Sequence, residues 1–336
     1  MVKTRMAQYG IGHDHAAGKA RVMRDSAAVE LAGVYEPAAW LRGSLGAHPP
    51  YDGVHWFGSA REMLADPSIA AVAVEGRVSE NLAFARACLE HGKHVWLDKP
   101  AGDDLDEFRA LLRLASARGL HVQLGYMFRY NAGYQFILDW AASGRLGAIR
   151  SVRTRISTGV ANDAAWRRWD SHGEHAGGLM FILAGHVVDI VVALLGRPHR
   201  VSAFARQQTD AFPWYRDNNV AVLEYPHALA VVESVAGEVE PGAARRMEVY
   251  GTRGSAILEP MEPPRLRLCL DAARDGYEAG WQEVPVAARP RYVESLRAFL
   301  ATIHGEQPAD RTFAHELAVQ ETLLAAAGLH SLAPPR

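Results

Sequence analysis

The feature that most constrains the fold is a glycine turn, where an extended run from Thr4 enters Gly10-Ile11-Gly12 and gives way to a helix-like stretch. Backbone N–H groups in such a turn point at a pyrophosphate, and the following helix adds partial positive charge at its N-terminus. The third position of the usual fingerprint is His15 rather than glycine or alanine. The two glycines alone would fit an ordinary strand–helix turn equally well.

An acidic residue further along the chain favours a dinucleotide over an ordinary turn. Glu36 ends the strand-like run at 29–35 and lies 24 residues after Gly12. A carboxylate at about this distance accepts hydrogen bonds from the adenosine ribose hydroxyls. Its charge repels a 2′-phosphate, and Arg42 is the only cation in the segment that follows. We therefore expect NAD as the cofactor in preference to NADP.

Strand-like and helix-like segments alternate through the first 128 residues. Apolar runs at 69–75 and 94–97 are typical of strands buried on both faces. This order predicts a Rossmann domain of the α/β class over residues 1–128, built on a doubly wound parallel sheet. Later strand-like runs, such as 220–225 and 228–235, follow one another without helices between them. We therefore predict an α+β domain over 129–336 with an open, largely antiparallel sheet.

Three local predictions bear on the position of the site. Ser79 is expected to cap the helix that follows 69–75, and residues 121–127 are expected to form a strand. Residues 179–195 are expected to form one helix, which would place His186 and Asp189 on the same face.

Composition and charge exclude several classes of protein. A net charge of −2 over 336 residues, with no basic block, argues against nucleic acid as the main partner. Two cysteines cannot make a disulfide framework, so we expect a reduced, cytoplasmic location. No apolar run approaches the roughly 20 residues that span a bilayer, and we expect no membrane partner. The first residues lead directly into the glycine turn, which indicates that there is no signal peptide.

Side chains at the carboxyl ends of the predicted parallel strands are candidates for chemistry, because ligands of an open sheet bind there. Lys99 directly follows the buried run at 94–97. A lysine at this place can hold a substrate hydroxyl and stabilise a developing alkoxide. His186 suits proton transfer to or from an alcohol, since histidine titrates near neutrality.

Four motifs in chain order resemble the Gfo/Idh/MocA oxidoreductases, which are relatives of glucose–fructose oxidoreductase and inositol dehydrogenase. The motifs are Gly10-Ile-Gly12, Gly92-Lys-His-Val-Trp-Leu-Asp-Lys-Pro100, Gly125-Tyr-Met-Phe-Arg-Tyr-Asn131 and Gly177-Gly…Gly-His186-Val-Val-Asp189. The resemblance implies a Rossmann domain followed by an open-faced sheet domain, with NAD(P) as cofactor. It also implies a sugar, cyclitol or related polyol as substrate, Lys99 beside the nicotinamide, and His186 in proton transfer.

The sequence departs from the family pattern at two positions near these residues. Asp98 stands where the family usually has glutamate before the lysine, which keeps a carboxylate on a shorter stem. Ile182 stands where the family usually has an aspartate four residues before the histidine. Since Ile182 cannot accept a proton, Lys99 and His186 are expected to carry proton transfer between them.

Candidate site residues follow from the motifs and from the segment 166–175, which is rich in aromatic, histidine and glutamate groups of the kind that contact polyols. The catalytic candidates are Lys99 and His186. The cofactor-binding candidates are Gly10, Ile11, Gly12, His13, Glu36, Glu75, Asp98 and Lys99. The substrate-binding candidates are Lys99, Tyr126, Arg129, Trp166, His172, His175 and His186. No residue is assigned to a metal, because the spacing of His172, Glu174 and His175 matches no standard site.

The favoured function is hydride transfer between nicotinamide and a carbohydrate- or cyclitol-type secondary alcohol or ketone. One alternative is a redox-neutral sugar lyase, epimerase or glycosidase that works by transient oxidation with bound NAD. A second alternative is a non-catalytic, nucleotide-sensing regulatory protein. Alternation over 220–235 places apolar side chains on both faces of the predicted sheet, so a homodimer or homotetramer is expected.

Overall fold

The computed structural model describes residues 3–159, 177–208 and 215–332. The chain divides into two compact units, one of residues 1–125 with 290–316 and one of residues 126–289 with 317–336. The predicted boundary after residue 128 lies close to this division. The prediction placed 290–316 in the second domain, whereas Leu296, Phe299 and Leu300 pack in an apolar core with Met6 and Trp96 of the first unit.

The first unit contains a parallel sheet of five strands in the order β2-β1-β3-β4-β5, as predicted for a Rossmann-type fold. Its strands are β1 (Thr4–Tyr9), β2 (Val29–Tyr35), β3 (Ala71–Val74), β4 (His94–Leu97) and β5 (Val122–Leu124). The strand order reverses between β1 and β3, because β2 lies on one side of β1 and the later strands lie on the other. The carboxyl ends of β1 and β3 therefore mark the position where such sheets bind ligands.

Six helices accompany this sheet: α1 (Ala16–Asp25), α2 (Ala39–Leu45), α3 (Ala60–Ala65), α4 (Val78–Glu90), α5 (Leu105–Ala117) and α10 (Val293–Ile303). The predicted Ser79 cap is wrong, because α4 begins at Val78 and its N-cap is Arg77, two residues before Ser79. Glu80 accounts for the difference, since its carboxylate accepts a hydrogen bond from the Arg77 backbone N–H at 2.9 Å. The carboxylate of Asp104 caps α5 by accepting the N–H of Glu107 at 2.8 Å.

The second unit contains a sheet of eight strands in the order β13-β12-β11-β10-β6-β9-β8-β7. All neighbouring strands are antiparallel except β6 and β9, which confirms the predicted, largely antiparallel sheet. The strands are β6 (Ile149–Thr158), β7 (Arg200–Arg206), β8 (Asn218–Glu224), β9 (Leu229–Ala236), β10 (Arg246–Gly251), β11 (Gly254–Leu258), β12 (Leu266–Leu270) and β13 (Gly280–Val284).

The helical segments of the second unit show that the strand predicted at 121–127 and the helix predicted at 179–195 need correction. They are a 3₁₀ turn (Met127–Tyr130), α6 (Ala132–Ala142), α7 (Gly178–Leu183), α8 (Gly185–Leu195), α9 (Pro241–Ala244) and most of α11 (Phe313–Ala326). The predicted strand at 121–127 is shorter because the chain enters the 3₁₀ turn, and the predicted helix at 179–195 is two helices. At the start of α8, a Cβ on Gly185 would lie 3.0 Å from Cε1 of Tyr126, so glycine permits a close approach.

In the described ranges, no helix combines the length and apolar character needed to cross a membrane.

One face of the eight-stranded sheet is buried and the other carries exposed apolar side chains. Ala221 and Val232 are fully buried, whereas Phe204, Leu229 and Trp281 on the opposite face are 62%, 52% and 53% exposed. Monomeric proteins rarely leave large apolar patches in water. We propose that this face pairs with a second copy of the chain.

A dimer or tetramer is therefore expected in light scattering at micromolar concentration. Phe204→Asp combined with Leu229→Asp should shift the protein toward monomer, because it places charges in the proposed interface. Trp40→Asp is the matched control, since Trp40 is 61% exposed and lies on α2 in the first unit. A monomeric wild-type protein would contradict the proposal.

Candidate functional site

The glycine turn after β1 packs directly against the chain that leaves β3. Gly10 has a φ of +88°, and a Cβ there would lie 2.5 Å from the backbone nitrogen of Gly76. The N–H of His13 donates to the carbonyl of Glu75 at 3.0 Å. These contacts explain why glycine is needed at the turn, and they bring the carboxyl ends of β1 and β3 together.

Glu36 holds the same turn from the end of β2. Its buried carboxylate accepts the N–H of Ile11 at 2.7 Å and the N–H of Ala38 at 2.8 Å. Burial raises the pKa of Glu36, although both hydrogen bonds act in the opposite direction. The carboxylate is thus positioned where β2 meets the glycine turn, and its contact with a ribose stays a prediction.

A group of buried ionisable side chains lies beside this turn, and we call it the Asp98 cluster: His13, His15, Lys19, Glu75 and Asp98. The Nζ atom of Lys19 lies 2.6 Å from Oε1 of Glu75 and 3.0 Å from Oδ2 of Asp98. All three side chains are fully buried. Lys19 therefore joins the carboxyl ends of β3 and β4 from its position on α1.

Two histidines connect the glycine turn to the same carboxylate. Nδ1 of His15 lies 3.0 Å from Oδ1 of Asp98, and Nδ1 of His13 lies 3.6 Å from Oδ2. Burial lowers the pKa of His13 to about 3 and also lowers the pKa of His15. Both imidazoles are therefore neutral near pH 7, and Lys19 supplies the positive charge of the cluster.

The buried charges of Lys19 and Asp98 balance each other. Burial works against the charged forms of Asp98 and Lys19. For Asp98 the neighbouring His13, His15 and Lys19 outweigh burial and lower the pKa, and for Lys19 the neighbouring Asp98 and Glu75 outweigh it and raise the pKa. Burial, together with the nearby Asp98 carboxylate, raises the pKa of Glu75 well above its ordinary value. We assign the negative charge to Asp98 and a proton to Glu75.

Lys99 follows β4 directly and is anchored through its backbone. Its N–H donates to Oδ1 of Asp98 at 2.6 Å, and its side chain is 4% exposed. Burial lowers the pKa of Lys99, although Asp98 acts in the opposite direction. A lowered pKa makes it easier for the amine to exchange a proton with a bound alcohol.

In the second unit, His186 lies on α8 among aromatic side chains. Its ring centre is 6.1 Å from that of Tyr126 and 5.1 Å from that of Phe128, and the side chain is buried. Arg129 makes a two-pronged ion pair with Asp189, with contacts of 2.9 Å and 2.8 Å. The pair fixes the 3₁₀ turn against α8 and so positions Tyr126 and His186.

Two family models match consecutive parts of the chain. One, described as an oxidoreductase family with an NAD-binding Rossmann fold, matches residues 10–126. The other, described as the GFO/IDH/MocA C-terminal domain, matches residues 134–257.

The chain belongs to the Gfo/Idh/MocA oxidoreductase family. It is 24% identical to YdgJ of Escherichia coli (strain K12), described as an uncharacterized oxidoreductase, over 74% of this chain and 71% of that protein. It is also 24% identical to scyllo-inositol 2-dehydrogenase (NADP(+)) IolW of Bacillus subtilis (strain 168), over 65% of this chain and 57% of that protein.

The likeness to solved structures extends over almost the whole chain. The crystal structure of GenD2 from gentamicin A biosynthesis, in complex with NAD, has a TM-score of 0.80 and 22% identity. The similarity covers 99% of this chain and 97% of that one, and it shows a shared fold. As a Gfo/Idh/MocA protein with dehydrogenase relatives, this chain is an NAD(P)-dependent oxidoreductase.

The structure places the predicted site residues of this Gfo/Idh/MocA protein in two groups. His13, Glu75, Asp98 and Lys99 lie together in the first unit, with Gly10, Ile11, Gly12 and Glu36 at the adjoining turn. Tyr126, Arg129 and His186 lie together in the second unit. Trp166, His172 and His175 lie outside the described residues. The proposed roles of all these residues toward ligands stay predictions.

Sequence reasoning missed Lys19, because a helical lysine is usually a solvated one. One signal could have found it: Lys19 lies four residues after His15, and residues at this spacing share a helix face. On the same helix Ala16, Ala20 and Met23 are buried, so the face that carries Lys19 is the one that packs on the sheet.

The Asp98 cluster also contains atoms of a kind that bind metals. Ligand atoms of His13, His15 and Asp98 lie within 4.8 Å of one another. However, Lys19 already pairs with Asp98, and Nδ1 of His13 accepts the N–H of His15 at 3.1 Å. We therefore assign the cluster to charge pairing, and the expected absence of a metal stays a prediction.

Breaking the buried ion pair of Arg129 and Asp189 should destabilise the protein. Arg129→Met leaves a buried carboxylate without its cation, which typically costs about 3–5 kcal/mol of unfolding free energy. Urea unfolding followed by tryptophan fluorescence measures this loss. Arg200→Ala is the control, because it removes an ion pair whose arginine is 71% exposed and should change stability little. A loss of similar size in both variants would contradict the assignment.

Proposed function

We propose that the protein is an NAD-dependent dehydrogenase or reductase that acts on a secondary alcohol of a carbohydrate or cyclitol, or on the corresponding ketone. The observation that carries this proposal is the buried Lys99, held by Asp98 at the carboxyl end of β4 beside the glycine turn. An amine in this place, with a lowered pKa, suits an oxygen that gains and loses a proton during the reaction.

The residues around the turn fit a dinucleotide. The turn at 10–12 leads into α1, and the N-terminus of that helix favours a pyrophosphate. In this proposal Glu36, at the end of β2, accepts hydrogen bonds from the ribose hydroxyls. When bound, the nicotinamide supplies or accepts the hydride.

Lys99 of the first unit and His186 of the second are the two catalytic candidates of this proposal. In the oxidation direction, Lys99 orients the hydroxyl and stabilises the negative charge that develops on its oxygen. His186 takes up the proton, since an imidazole suits proton transfer near neutral pH. Ile182 offers no carboxylate to share this role, and Tyr126 is the polar aromatic neighbour of His186.

The relatives support the substrate class. One is named as a dehydrogenase of scyllo-inositol, which is a cyclitol with secondary hydroxyls. The two free cysteines, Cys88 and Cys269, and the nicotinamide cofactor are consistent with a cytoplasmic location, which we include in the proposal.

The preference for NAD rests on Glu36. Its carboxylate would repel the 2′-phosphate of NADP, so the Kd for NADH should be lower than that for NADPH in fluorescence titrations. Glu36→Gln should weaken NADH binding and narrow the difference between the two cofactors. Arg42→Ala serves as the control for the only cation in the segment after Glu36. Tighter binding of NADPH by the wild-type protein would overturn the preference.

A panel of polyols and keto-sugars, followed by nicotinamide absorbance, tests the activity itself. Lys99→Met and His186→Ala should each lower kcat by about 10²–10⁴-fold on the substrate found, while NADH binding to His186→Ala is retained. His227→Ala, in the turn between β8 and β9, is a matched control. Full activity in both site variants would refute the assigned roles. Product formation without net NADH would favour the redox-neutral alternative, and NAD binding with no turnover would favour a regulatory protein.

A further inference from the structure

The use of lysine in this chain is unusual. The sequence contains 32 arginines and only four lysines, which are Lys3, Lys19, Lys93 and Lys99. Three of the four are buried, whereas most cations at the surface are arginines. Lysine differs from arginine in carrying a compact charge whose pKa shifts readily when it is buried. Two of the buried lysines, Lys19 and Lys99, contact the same carboxylate, that of Asp98.

The position of Lys19 is fixed from several sides. Its Nζ atom contacts Glu75 on one side and Asp98 on the other, and it lies 4.5 Å from the ring centre of Trp96. A Cβ on Gly125 would lie 3.1 Å from this Nζ and 3.0 Å from Oδ1 of Asp98. Glycine at 125 therefore leaves room for the ammonium and the carboxylate to lie together.

Asp98 connects the two lysines. Its Oδ2 atom faces the ammonium of Lys19, while its Oδ1 atom accepts the backbone N–H of Lys99. Because Lys19 fixes this carboxylate, it also fixes the point at which the chain leaves β4 and continues into Lys99.

We infer that Lys19 is a positioning residue that acts on Lys99 through Asp98, because it holds the carboxylate that accepts the backbone N–H of Lys99. The effect on turnover rests on the proposed function. The effect of Lys19 on the pKa of the Lys99 amine does not depend on the proposed function, and it can be measured without a substrate.

The direction in which Lys19 shifts the pKa of Lys99 follows from the charges that face Lys99 within the first unit. Asp98 from β4 and Asp14 from the turn before α1 favour the ammonium form, as does Glu75 from β3 in the fraction that is ionised, whereas Lys19 from α1 favours the free amine. Removal of Lys19 takes away a like charge and leaves Asp98 uncompensated. The pKa of Lys99 must then rise.

Four lysines make a direct measurement possible. In protein labelled with ¹³Cε-lysine, NMR gives four lysine signals, and Lys99→Met identifies the one from Lys99. In the wild type this signal should titrate below the ordinary lysine pKa of about 10.4. In Lys19→Met its midpoint should rise by about one pH unit or more. Lys93→Met is the matched control: it removes another buried lysine, which donates to the carbonyl of Asp66, and should leave the midpoint unchanged.

A second variant should shift the pKa of Lys99 in the opposite direction, and it provides an independent test if Lys19→Met folds poorly. Asp98→Asn keeps Lys19 but removes the carboxylate, so the midpoint of Lys99 should fall. An ordinary midpoint in the wild type would overturn the inference, and so would unchanged midpoints in both Lys19→Met and Asp98→Asn.

Turnover separates this inference from the proposed function. If both are correct, the basic limb of the kcat/KM profile for alcohol oxidation, which reports loss of the Lys99 ammonium charge, moves to higher pH in Lys19→Met. If the NMR midpoint moves but no polyol or keto-sugar is turned over, Lys19 controls Lys99 and the proposed function fails. Reduced activity with an unmoved midpoint would show that Lys19 contributes only to folding, which contradicts the inference.

Discussion

The buried ion pair of Lys19 and Asp98 is the interaction on which the first unit's site depends. Removing a carboxylate from water costs several kcal/mol unless a cation and hydrogen bonds replace its hydration. Here Lys19 supplies the charge, and His15 and the N–H of Lys99 supply nearby polar contacts. Glu75 joins the group in its protonated form, so the cluster carries no net charge. The ends of β1, β3 and β4 are thereby held in one arrangement.

This arrangement explains why the chain can carry His15 at a position where the dinucleotide fingerprint has glycine or alanine. His15 occupies the place of the third small residue and contacts Asp98 instead of leaving empty space. The glycine turn and the end of β4, which leads to Lys99, are therefore linked by one hydrogen bond. In the second unit, the ion pair of Arg129 and Asp189 has a corresponding role, because it holds the turn that carries Tyr126 beside the helix that carries His186.

Much of this architecture is predictable from sequence because local patterns determine it. The glycine turn, the apolar strands β3 and β4, and Lys99 after β4 all follow from spacing and periodicity. The burial of Lys19 does not, since it depends on which face of α1 packs on the sheet. The break between α7 and α8 falls where Gly185 approaches Tyr126, and the pairing of Arg129 depends on a residue 60 positions away. The strands β12 and β13 are short and are defined mainly by their pairing with each other and with β11.

The most direct test of the central claim, that Lys99 is presented to a dinucleotide by the Asp98 cluster, is a crystal structure of the protein with NAD bound. The account predicts the pyrophosphate on the turn at 10–12, a ribose on Glu36, and Nζ of Lys99 facing the nicotinamide while Lys19 stays between Glu75 and Asp98. A nicotinamide bound away from Lys99, or a Lys19 displaced from Asp98 in the complex, would contradict it.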